Sequence, residues 1–162
     1  MPAATYAELF QFEETLLTRY AAILTAASVT NAVHRGTGNL ATPRVELSIA
    51  MGGTDDHVAE VTGGALMFDR WRFTLTAVVV TGRNQNNSSH KSYLGKVRYL
   101  FLAPSTSTTI NAALTYHAVS NQLQAEDPTE IATEQDEDQD RTVCKFSGMV
   151  RILPAAWPAS AP

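Results

Sequence analysis

Apolar side chains at Tyr6, Leu9, Phe10, Leu16, Leu17, Tyr20, Ile23 and Leu24 recur at three- and four-residue steps. That spacing gathers them on one face of an α-helix. It predicts an amphipathic helix of about five turns over Thr5 to Ala27, with Glu13 the one break in the stripe. The turn-rich stretch from Asn31 to Pro43 follows as a loop whose glycines are free to take positive φ.

The period then changes from helical to alternating. Val45, Leu47 and Ile49 face one way and Arg44, Glu46 and Ser48 the other, which is a half-buried strand over Arg44 to Ala50. MGGTDDH reads as a turn, and Val58 to Gly63 as either a short strand or part of the same excursion. Arg70 to Gly82 is the strongest strand: Trp71, Phe73, Leu75, Ala77 and Val79 share a face opposite Arg70, Arg72, Thr74 and Thr76. Val78 and Val80 make both faces apolar beyond Ala77, as in a strand covered on both sides.

RNQNNSS reads as a loop ending in a helix cap at Ser88 or Ser89. The second predicted helix runs from His90 to Ala103, with Tyr93, Val97, Leu100 and Phe101 on its buried stripe, and Pro104 ends it. STSTTIN is expected to be a loop and Leu114 to Gln124 a short strand. From Arg141 to Leu153 alternation returns, with Thr142, Cys144, Phe146, Gly148, Val150 and Ile152 inward. The expected fold is α+β, a mainly antiparallel sheet with two helices packed on one face, in a single domain spanning residues 1–162. An irregular tail is expected over 154–162.

Charge changes this picture in one place. The chain carries 16 acids and 12 Lys or Arg, net −4. Eight of those acids lie between Glu126 and Asp140, a window without Lys or Arg, so the rest of the chain has 12 bases against 8 acids, or +4. Such a window cannot bury itself and is expected to be an exposed, mobile loop at about 125–140. Asp136, Glu137, Asp138 and Asp140 are its candidate contact residues. Arg70, Arg72, Lys91, Lys96, Arg98, Arg141, Lys145 and Arg151 form a candidate basic surface across strands and second helix. A sequence pI of about 5.5 argues against a dedicated nucleic-acid binder.

Candidate chemistry is sparse. His34, His57, His90 and His117 are scattered, with no pair at the spacing that sets two ligands on one helix face. His57 beside Asp55 and Asp56 reads as a solvated turn, His90 as a surface or first-turn residue, and His117 as a structural histidine. The single cysteine, Cys144, has no disulfide partner and sits among alternating strand residues, so it reads as a small buried hydrophobe. No G-x-S-x-G and no phosphate-loop motif occurs. Catalytic residues, cofactors and metals are therefore not assigned, and the chain is not expected to be an enzyme. MPAATYAELF lacks the basic start of a secretory signal, and no apolar run is long enough for a membrane span. Trp157, bounded by Pro154 and Pro158, lies outside any periodic element and is expected either to fold back or to anchor in a neighbouring subunit.

The order of a long N-terminal helix, PRVELSIAMGG, WRFTLTAVVVTGR, HKSYLGKVRYLF and a late strand ending VRILPAAWP resembles the neck and tail-completion proteins of long-tailed bacteriophages, in particular the tail-terminator group. The resemblance covers most of the chain through element order and loose motifs. It implies an α+β subunit that closes into a ring, commonly a hexamer, capping the tail tube at its head-proximal end within the virion. The implied partners are other copies of the chain, the tail tube protein, head–tail connector proteins and passing DNA read without sequence specificity. The acid-rich window matches no motif of that family. A head–tail connector on the portal side and a non-catalytic protein-binding module remain alternatives, with Asp136, Glu137, Asp138, Asp140, Trp157, Arg70, Arg72 and Arg151 as the expected contact residues.

Overall fold

A computed structural model describes residues 4–33, 41–52, 58–62, 65–83, 87–126, 133–135 and 138–153. The N-terminal stripe folds as two helices, α1 (Tyr6–Phe10) and α2 (Glu13–Ala26), where the periodicity predicted one. The cause is distant in sequence. The Leu9 carbonyl, which Glu13 N–H would bond in a continuous helix, instead accepts from His117 Nε2 at 2.9 Å. Thr5 and Glu8 close a capping box at the start of α1. Glu13, the break in the stripe, becomes the first residue of α2, where a carboxylate favours the positive end of the helix dipole.

After α2 come β1 (Asn31–Val33), β2 (Arg44–Met51), β3 (Val58–Thr62) and β4 (Ala65–Gly82). Two helices follow, α3 (Asn87–Leu102) and α4 (Pro104–Ala113), then β5 (His117–Ala125), β6 (Thr133–Gln135) and β7 (Gln139–Ile152). The sheet runs β1-β2-β4-β7-β5, with β3 also against β4 and β6 also against β7. Every pairing is antiparallel except β1 with β2. The fold is α+β with a mainly antiparallel sheet.

One face of that sheet carries the core. Val45, Leu47, Phe73, Leu75, Ala77, Val79, Cys144, Phe146 and Val150 meet Leu16, Leu17, Tyr20 and Leu24 of α2, Val97 and Phe101 of α3, and Ile110 of α4 in one buried cluster. Phe101 stands edge-on to Phe146 at 5.3 Å and to Tyr20 at 6.0 Å. Each such side chain contributes roughly 1.5–3 kcal/mol relative to remaining in water. Cys144 is fully buried here, as its alternation predicted.

Three further elements depart from the sequence reading. STSTTIN is helical: Pro104, which ends α3, is the first residue of α4, where a missing N–H costs nothing. Thr106 and Ile110 then fall four apart on its buried face. β1 is a three-residue strand inside a stretch that reads as loop. The acid-rich window is not wholly a loop either, because β6 lies within it and β7 begins at Gln139.

Candidate functional site

The central ladder orders the candidate residues. β4 and β7 pair from Arg70 with Arg151 to Gly82 with Gln139, and alternation sends odd positions of β4 and even positions of β7 into the helix-covered core. Thr81, Asp140 and Thr142 occupy the last inward positions at one end. The first turn of α3 drops His90 onto them.

His90 is buried, with its Nδ1 2.7 Å from Thr81 Oγ1 and its Nε2 2.7 Å from Thr142 Oγ1. In the neutral imidazole one nitrogen donates to a hydroxyl and the other accepts from the second. The reading of His90 as a surface residue is thus corrected: it is a first-turn residue that ties α3 to both central strands. Burial holds its pKa below the ordinary value, opposed by the nearby Asp140 charge. Asp140 is corrected as well. It is 3% exposed, inside β7, and its Oδ1 has no hydrogen-bond partner among the described residues. The carboxylate does not orient the imidazole, since both ring nitrogens are taken by threonines. Beside the cluster, a cavity of about 450 Å³ is lined by Thr42, Thr81, Arg83, Ser89, Tyr93 and Asp138 among others.

His117 is structural, as expected. It is buried, stacks at 4.3 Å on Phe12 and donates to the Leu9 carbonyl, and burial lowers its pKa against the pull of that bond. It borders a cleft of about 310 Å³ whose charged side chains are Glu8 and Arg19. Glu8 is committed to the capping box, where bonds from Thr5 hold its pKa below the usual carboxylate range. His34, His57, Asp55, Asp56, Asp136, Glu137 and Trp157 lie outside the described residues.

The predicted basic surface divides. Lys91, Lys96 and Arg98 belong to α3, on the helical side, where Lys96 Nζ donates to the Ala27 carbonyl at the end of α2. Arg141 approaches Glu46 at 3.8 Å in a network with Arg44, which holds the same carboxylate at 2.9 Å. Arg70, Arg72 and Arg151 lie near one end of the opposite sheet face, where the register sets Arg70 directly across from Arg151, whereas Lys145 lies farther along that face, across from Thr76. Asp138 is exposed at the opposite end of the ladder, its carbonyl accepting from Arg83 N–H at 2.9 Å.

Among the described residues no group of three or more His, Cys, Asp or Glu could hold a metal ion, and no helix is long and apolar enough to cross a membrane. Compared with known proteins, the chain matches no family model and has no significant match among curated sequences.

Proposed function

We propose that this chain is a virion structural protein that forms a ring at the head-proximal end of a phage tail tube, terminating the tail and joining it to the head. The phage context comes from the resemblance in element order and motifs. The observation that supports an assembly role is where the reactive groups are used. His90 and His117 each tie separate elements together, through Thr81 and Thr142 in one case and the Leu9 carbonyl in the other. The outward groups are suited instead to contact: Tyr99 is 73% exposed on α3, Phe10 is 42% exposed beside Trp71, and Arg72 and Arg151 are exposed on β4 and β7.

The sheet edges bear on how copies meet. Asn111 of α4 accepts from Val119 N–H at 2.7 Å and donates to its carbonyl at 3.0 Å, so one amide occupies the outer edge of β5. β1, at the other edge, is three residues long. Blocked and short edges resist strand addition, which favours association through faces and charged ends.

Native mass spectrometry of the chain, alone and with tail tube protein, tests the reading together with electron-microscopic localisation in intact particles. Discrete rings at the tube end are expected. A chain that stays monomeric beside the tube protein and is missing from the tail sinks the ring. Localisation on the portal side transfers the assignment to a connector.

A further inference from the structure

We propose that the cleft at the break between α1 and α2 binds a carboxylate that carries a hydrogen-bond donor beside it. The last residue of a polypeptide and an acylated amino acid both have that chemistry. Arg19 receives the carboxylate and His117 Nδ1 receives the donor. The site goes beyond the ring reading and does not depend on it.

The helix break builds the cleft and sets its chemistry together. His117 Nε2 lies 2.9 Å from the Leu9 carbonyl, where a continuous helix would have placed the Glu13 N–H. A carbonyl only accepts, so Nε2 carries the proton, and in the neutral ring Nδ1 is left as an acceptor. Burial favours that neutral form. His90 differs, because threonine hydroxyls occupy both of its nitrogens. Among the described residues His117 has only the bond to Leu9 and the stack on Phe12. The side chain is 6% exposed and lines the cleft of about 310 Å³. The fully buried side-chain atoms that lack a partner among the described residues are Tyr20 Oη, Tyr93 Oη and Asp140 Oδ1. His117 Nδ1 is not one of them, so it keeps contact with solvent, and the cleft is where this ring meets solvent.

α2 supplies the charge. Thr15 and Arg19 stand one turn apart on that helix and line the same cleft. Arg19 is exposed and makes no ion pair or hydrogen bond among the described residues. A guanidinium holds a carboxylate through two parallel N–H bonds, and the Thr15 hydroxyl adds a further donor. The other charged side chain of the lining is Glu8. Its Oε2 takes the Thr5 N–H at 2.8 Å and the Thr5 hydroxyl at 2.9 Å, so the capping box holds it at the start of α1. It forms no ion pair with Arg19. Phe12 and Leu114 add apolar lining.

These groups narrow the ligand. The volume lies at the small end of ligand cavities and suits one or two amino-acid residues. Chloride or sulfate would satisfy Arg19 and leave Nδ1 without a donor. An amine would find the acceptor and be repelled by the guanidinium. A carboxylate with an adjacent N–H or O–H answers both.

N-acetyl-L-alanine, titrated into the whole chain at neutral pH and followed by NMR chemical shifts, tests the site. Expected are shifts concentrated at residues 7–19 and 113–117, which enclose the cleft. Affinity should fall by at least about tenfold in Arg19→Gln, with circular dichroism confirming the fold, and as much for the uncharged methyl ester of the ligand. O-acetyl-L-lactate keeps the carboxylate and replaces the N–H by oxygen, so that two lone pairs face each other. It should bind at least about fivefold more weakly. That comparison leaves the protein untouched and reads Nδ1 without a His117 variant, which would disturb the helix break itself. Acetyl-Ala-Ala-Ala that binds at least as well as the single residue assigns the source to polypeptide ends. Binding of the short acid alone assigns it to acylated amino acids. Shifts absent from the cleft up to the solubility of N-acetyl-L-alanine overturn the proposal. So does O-acetyl-L-lactate that binds as tightly as the amide, or an Arg19→Gln chain of undiminished affinity. None of these outcomes bears on rings at the tube end, which native mass spectrometry reads separately.

Discussion

Phe73 fills the space over Gly148, its direct partner across β4 and β7: a Cβ built on Gly148 would fall 2.5 Å from Phe73 Cζ and 2.7 Å from Leu123 Cδ2. Both neighbours are buried core side chains with little room to withdraw. Gly148→Ala should therefore lower stability by about 1–3 kcal/mol through overpacking. Urea denaturation measures this, and an unchanged midpoint would mean that the sheet relaxes around the methyl. The glycine's inward position is readable from the alternation of β7, but the ring that requires it lies 75 residues away.

Tyr20 is fully buried between Phe73 and Phe101, and its hydroxyl has no hydrogen-bond partner among the described residues. Burial raises the phenol pKa, since the charged form is the one disfavoured away from water. A buried hydroxyl without a partner costs the fold its desolvation and gains nothing back. Tyr20→Phe should keep the aromatic packing and stabilise the protein by roughly 1 kcal/mol. A lower denaturation midpoint in the variant would reveal a bound water or a second role for the hydroxyl.

The strands were legible because their alternation is local: the inward set of β4 and β7 follows from the residues of each strand alone. What escaped depends on partners far along the chain. The break between α1 and α2 needs the Leu9 carbonyl to meet His117, 108 residues on. α4 hides behind a run of Ser and Thr whose local composition favours loops, and only Thr106 and Ile110 carry its helical period. By composition Asp140 belongs with the acidic window. Its place in step with Thr142, Cys144 and Phe146 was the signal that it belonged to the strand. Of the candidate contacts, Arg70 and Arg72 are readable as sharing one face of their strand, and Arg151 as outward on another. The meeting of Arg70 with Arg151 needed the register.

Ser28 ends α2 with φ 57, the left-handed conformation in which glycine is usual. Its N–H bonds the Thr25 carbonyl at 2.9 Å and the next N–H, of Val29, bonds the Leu24 carbonyl at 2.8 Å. The two bonds and the buried Leu24–Val29 side chains form a Schellman termination. A non-glycine residue there carries ~1–2 kcal/mol of steric cost, partly offset by the greater chain entropy that glycine loses on folding. Ser28→Gly should therefore stabilise by about 0.5–1 kcal/mol, and Ser28→Val should destabilise. Thermal melts of the pair check the sign, and a less stable glycine variant would contradict the strain.

His90 and His117 make stability depend on pH in a direction fixed by their environments. Both imidazoles are buried, and burial depresses each folded-state pKa below the ordinary 6.5 of the group. The unfolded chain then binds protons more readily than the native one, so stability is undiminished above the unfolded value. It falls as pH drops from about 6.5 through the lower folded values, by up to ~1.4 kcal/mol per pH unit for each site. Asp140 near His90, and the Leu9 carbonyl on His117, moderate the loss. Urea midpoints at pH 7.5, 6.5 and 5.5 should decline in that order. His90→Gln should begin lower at pH 7.5, because it disturbs the hydroxyl bridge between Thr81 and Thr142, yet decline less steeply because one titrating site is gone. A midpoint that holds level from pH 7.5 to 5.5, or a glutamine variant with an undiminished slope, would show that His90 does not titrate in this range.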